Sequence, residues 1–104
     1  MSALARLEAW YQRQCNGDWE HTYGVNVGTL DNPGWSLVVD LEDTNLENVP
    51  FDEVGENVGP DSHPDGDDWF SCRVVNRQWK GFGGPHKLSK LIEEFVTWAE
   101  RHDS

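Results

Sequence analysis

The chain has 104 residues, 37% of them hydrophobic, and a formal net charge of −11, which is enough for one domain around a modest core. Eleven acidic residues and no Lys or Arg fall between residues 40 and 68; the other eight of the 19 acids are balanced by the eight bases, so the whole net charge sits in that segment. This argues against nucleic acid, whose phosphates need clustered Lys and Arg, and against anionic membranes, and no run of about 18 apolar residues is present to span one. Residues 3–15 are a predicted helix, because Leu4, Leu7, Trp10, Tyr11 and Gln14 follow the i, i+3, i+4, i+7 pattern, and Asn16 with Gly17 stops it. Two strands, 21–27 and 35–41, follow as a hairpin. His21, Tyr23, Val25 and Val27 share one face of the first strand, and Trp35, Leu37, Val39 and Leu41 one face of the second. Thr29, Leu30, Asp31, Asn32, Pro33 and Gly34 supply the turn chemistry between them. Residues 42–51 read as a loose edge strand or irregular loop, limited by Pro50, and 52–68 as a loop rich in Gly, Pro and Asp. Residues 69–76 are a third strand with Phe70, Cys72 and Val74 on its apolar face. Residues 77–84 are a connector or a short strand. Residues 85–102 form the last helix, opened by Gly84 and Pro85, with Leu88, Leu91, Ile92, Phe95, Trp98 and Ala99 as its apolar stripe.

These elements predict a single α+β domain over residues 1–104, an antiparallel sheet of three to four strands backed by N-terminal and C-terminal helices. The uncovered face of the sheet would carry Thr22, Asn26, Ser36, Val38, Asp40, Trp69, Ser71 and Arg73, most of them polar as an open face requires. Residues 1–14 hold no apolar core of a signal peptide, and two cysteines are too few for a disulfide scaffold, so the expected compartment is the cytoplasm.

The chemistry-bearing residues fall into a few sets. Cys15 with His21 has the composition of a nucleophile and its base, but Cys15 ends a predicted helix, where the dipole disfavours a thiolate; a structural thiol is the simpler reading. Asp18, Glu20 and His21 form a candidate acid–base or metal cluster, set against a hydrogen-bonded histidine at the edge of the core. Residues 61–68 look superficially like a calcium loop but lack the alternating ligands and closing Glu of an EF-hand. Gly81, Phe82, Gly83 and Gly84 before a helix lack the Lys and Ser/Thr of a phosphate loop. No metal or other cofactor is expected from these patterns. Of the six tryptophans, Trp10, Trp35 and Trp98 fall on apolar stripes, while Trp19, Trp69 and Trp79 sit in loops or on the opposite face. Tryptophan ringed by polar groups is a common interface anchor, so Asp61, Asp65, Asp67, Asp68 and Trp69, with Trp19 and Glu20, are the candidate partner-binding residues.

Trp10, Tyr11, Gln14 and Cys15, the run from Asn16 to His21, Tyr23 and Gly24, and the run from Thr29 to Trp35 resemble the immunity protein 53 family of bacterial polymorphic toxin systems. The resemblance covers residues 4 to 51 well and the C-terminal half loosely. It implies a small cytoplasmic protein, not an enzyme, that binds and neutralises a cognate toxin. An acidic inhibitor suits a basic, nuclease-type toxin, since complementary charge speeds encounter and fixes orientation. The alternatives are a metal-binding or general interaction module, and a small enzyme using Asp18, Glu20 and His21.

Overall fold

Serine 2 opens the first helix, its hydroxyl accepting from the Ala5 N–H at 3.1 Å. In the computed structural model, which describes residues 2–31, 33–56 and 68–102, this helix, α1, spans Ala3–Gln14. It is followed by α2 (Trp19–Thr22), β1 (Val25–Leu30), β2 (Gly34–Asp40), β3 (Val54–Glu56), β4 (Phe70–Val75), β5 (Gln78–Gly83) and α3 (Leu88–Arg101). The strands form one antiparallel sheet in the order β1-β2-β5-β4-β3. The architecture is therefore α+β, as expected, but with five strands rather than three to four.

The two extra strands have weak local signals. Strand β5 takes the centre of the sheet, yet its inward positions are Trp79, Gly81 and Gly83, so only one of three carries an apolar side chain. Residues Asn76 and Arg77, both at positive φ (52° and 62°), turn β4 into β5 with Val75 opposite Gln78. Two successive left-handed residues make the tight hairpin turn that matches strand twist. Asn is at home there; Arg77 is not, and it is held by Glu42 and Glu47 carboxylates at 3.4 and 3.8 Å and by the Leu41 N–H on its carbonyl at 2.9 Å. Strand β3 is three residues long and begins inside what reads as a loop.

Helix α3 lies across β2, β5 and β4 and buries Leu91, Ile92, Phe95, Val96, Trp98 and Ala99. Helix α1 packs alongside α3, with the Trp10 ring edge-on to Phe95 at 5.0 Å between centroids. The sheet contributes Leu37, Val39, Phe70, Cys72 and Trp79 to the same core, and the turns after β2 contribute Leu41 and Leu46. Helix α3 starts at Leu88, not Pro85, because residues 84–87 form a separate turn closed by the Lys87 N–H on the Gly84 carbonyl at 3.0 Å. The Pro85 carbonyl is occupied by the Trp35 indole N–H at 2.9 Å.

The first predicted strand is also displaced. Residues 19–22 are a helical turn, and the strand begins at Val25. His21 is exposed and shares no strand face with Val25, while Val27 keeps the expected face but lies half exposed on the edge strand.

Candidate functional site

The polar cluster at residues 16–21 is held by hydrogen bonds to its own backbone. Gly17 adopts φ +89°, a conformation that glycine tolerates best. The turn that results lets the Asn16 side-chain oxygen accept from the Asp18 and Trp19 N–H groups at 3.0 and 2.9 Å, starting α2. The Glu20 carboxylate reaches back to accept from the Asn16 and Gly17 N–H groups at 2.9 and 2.8 Å. Its own amide, and those of Gly17 and Asn16, hold the carboxyl below the usual glutamate range. Trp19 is 4% exposed, edge-on to Trp10 at 6.0 Å, and donates its indole N–H to the Glu42 carbonyl at 2.9 Å. The sequence expectation that Trp19 and Trp79 lie in loops or on the opposite face is thus corrected: both are in the core. Trp79 is fully buried, and its indole N–H has no hydrogen-bond partner among the described residues.

The Cys15 thiol is turned onto its own helix. The Cys15 thiol donates to the Tyr11 carbonyl at 3.4 Å. Cys72 is fully buried and its thiol is pushed up to about 12, chiefly by burial. Among the described residues no three His, Cys, Asp or Glu side chains are placed to hold a metal ion.

The acidic segment divides into engaged and exposed carboxylates. Asp40 accepts from the Gly24 N–H at 3.0 Å and the Gln78 amide at 2.8 Å, which ties the start of β1 to β2 and β5. Glu42 and Glu47 hold Arg77, and exposed Asp68 is ion-paired with Lys87. Asp43, Asp52, Glu53 and Glu56 are exposed, the last three flanking or within the short edge strand β3. Trp69 is partly buried just before β4, its carbonyl accepting from the Gly84 N–H at 3.0 Å. Asp61, Asp65 and Asp67 lie outside the described residues. Of the proposed partner-binding set, the structure therefore brings Asp68 and Trp69 together at the start of β4 and puts Trp19 and Glu20 in a separate turn.

Two of the chain's cations lie on the open face of the sheet. There β5 presents Gln78, Lys80 and Phe82 between Ser36, Val38 and Asp40 of β2 and Ser71, Arg73 and Val75 of β4. The alternation of 78–83 was the signal that would have placed Lys80 beside Arg73.

A family model described as Immunity protein 53 matches residues 4–100. No curated protein and no solved structure matches the chain.

Proposed function

Because the chain belongs to the immunity protein 53 family, we propose that it binds a cognate bacterial toxin in the cytoplasm and neutralises it by occupancy rather than by catalysis. The toxin is basic, of the nuclease type, and the acidic segment meets it. The observation that supports this reading is the segregation of charge: the net −11 arises from residues 40–68, and Asp43, Asp52, Glu53 and Glu56 are exposed there. Asp61, Asp65, Asp67 and Asp68 add to the same field, and Trp69 adds aromatic area beside it. Trp19 and Glu20 serve the fold instead, since one is in the core and the other is bound to backbone amides.

A field of this kind acts mainly on the encounter rate, which in steered pairs reaches about 10⁸–10⁹ M⁻¹s⁻¹ at low salt and falls as ions screen it. The test is to replace Asp65, Asp67 and Asp68 together by Lys, and separately Asp52, Glu53 and Glu56, and follow association with the purified toxin by stopped flow at low and high salt. Slower association and a flatter salt dependence are expected. Rates that match the wild type at both salts refute the assignment of this surface.

A further inference from the structure

The open face of the sheet sets two cations side by side in a molecule of net charge −11. Lys80 stands directly across from Arg73 in the β4–β5 register, with Val38 on its other side. Like charges opposite one another on a sheet destabilise it. Arg6, Arg77, Lys87 and Lys90 each have a carboxylate partner, whereas Arg73 and Lys80 have none among the described residues. In a chain with 19 acids and eight bases this is the costlier arrangement. Asp40 shares the face, but its carboxylate is already held by the Gly24 N–H and the Gln78 amide. Glu53, one residue before β3 on the Arg73 flank, is exposed and forms no ion pair with it. Beside the two cations lie Phe82 and Val38, both partly exposed, and the flanking Ser36 and Ser71 add hydroxyls.

We propose that this face is a second contact with the toxin, in which Arg73 and Lys80 together take one carboxylate of the partner and Phe82 with Val38 seat an apolar side chain next to it. The inference rests on the immunity reading. Charge complementarity identifies the occupant. Directly opposed residues on adjacent strands have Cα atoms about 4.5–5.5 Å apart, so an arginine fork and an ammonium converge on a single carboxylate, and an ionised acceptor strengthens both bonds. Two cations in a molecule of net −11 are too few to hold a nucleic acid backbone. An acidic edge beside a cationic face gives the complex one orientation, because rotating the partner sets like charges against each other.

The test uses Arg73→Thr with Lys80→Thr, and separately Arg73→Glu with Lys80→Glu, in the full chain. Affinity for the purified cognate toxin domain is measured by calorimetry, beside the melting temperature of each variant alone. The threonine pair should melt no lower than the wild type, since the cross-strand repulsion is gone, and bind at least about tenfold more weakly, as loss of a charge pair at an interface does. The glutamate pair should bind more weakly still. Wild-type affinity in a variant that keeps its melting temperature overturns the proposal. So does a lowered melting temperature with unchanged affinity, which would assign the two cations to the chain's own acids. Tight binding of a labelled single-stranded oligonucleotide, lost in the threonine pair, overturns it in favour of nucleic acid. If the wild type itself fails to bind the toxin, the immunity reading falls and takes this inference with it.

Discussion

Replacing Gly34 by alanine would set a methyl group 2.4 Å from the Gly83 carbonyl oxygen and 3.2 Å from Leu30 Cδ1. Ordinary contact begins near 3.4 Å, so the methyl is about 1 Å too close to a backbone atom that has no rotamer to escape into. Strands β2 and β5 would have to part next to the Trp35–Gly83 pair. Overpacking of this kind costs about 1–3 kcal/mol. Alanine returns roughly 0.4–1 kcal/mol by narrowing the unfolded ensemble. From the middle of these ranges the net loss is about 1.3 kcal/mol, and at roughly 4–8 °C per kcal/mol for a domain near this size the melting temperature should fall by about 5–10 °C. Gly24 is the internal control: a Cβ built there meets nothing within 4 Å, so Gly24→Ala should melt at or slightly above the wild type. Thermal unfolding followed by circular dichroism, with urea midpoints as a second measure, compares the three proteins. A Gly34→Ala protein as stable as the wild type, or a Gly24→Ala protein that loses as much, would refute the packing argument. The predicted result would also assign Gly34 a structural role in the Leu30–Trp35 turn.

Three further outcomes follow from individual side chains and their surroundings. Trp19 and Trp98 donate their indole N–H groups to the Glu42 and Pro50 carbonyls, whereas the buried Trp79 N–H has no partner among the described residues. Trp79→Phe should therefore cost about 1 kcal/mol less than Trp19→Phe or Trp98→Phe in denaturant titrations, and an equal or larger cost would show that the Trp79 donor is satisfied. Glu20 has its folded pKa depressed, so its contribution is complete above the unfolded glutamate value of about 4.3 and disappears as pH falls through the lower folded value. Glu20→Gln should be less stable than the wild type at neutral pH, with the gap closing in acid; a gap that widens on acidification would contradict the sign. The Cys72 thiol, buried and raised to about 12, should resist a thiol reagent at pH 8 until the protein unfolds, and prompt modification of Cys72 in the native state would show the β4 side of the core to be open.

Elements with a clean period were legible. The apolar spacing of α1 marked its end to within one residue, and the alternation in β2 and β4 put Leu37, Val39, Phe70, Cys72 and Val74 on the helix-covered face. What escaped depends on contacts that no local window contains. Trp19 reads as a loop residue because only the Asn16 cap and the Glu42 carbonyl, 23 residues away, explain why it turns inward. Strand β5 reads as a connector or a short strand because glycines fill two of its three inward positions, and glycine is there to let neighbours approach: a Cβ at Gly81 would lie 2.7 Å from the Trp79 ring. The turn that precedes β5 has Asn76 but no glycine, so the usual hairpin signal is missing, and with it the register that sets Lys80 against Arg73. The polar residues of the Asn16–His21 run suggest chemistry, yet the Asn16 and Glu20 side chains are spent on the backbone around them.

Neutralisation by binding is tested most directly by titrating the purified cognate toxin domain with the intact protein, while toxin activity and complex mass are read in the same samples. Activity should fall in step with the appearance of a complex of fixed stoichiometry and return when the complex is dissociated. Toxin activity that persists at saturating protein, or that is lost while no complex forms, would contradict neutralisation by occupancy.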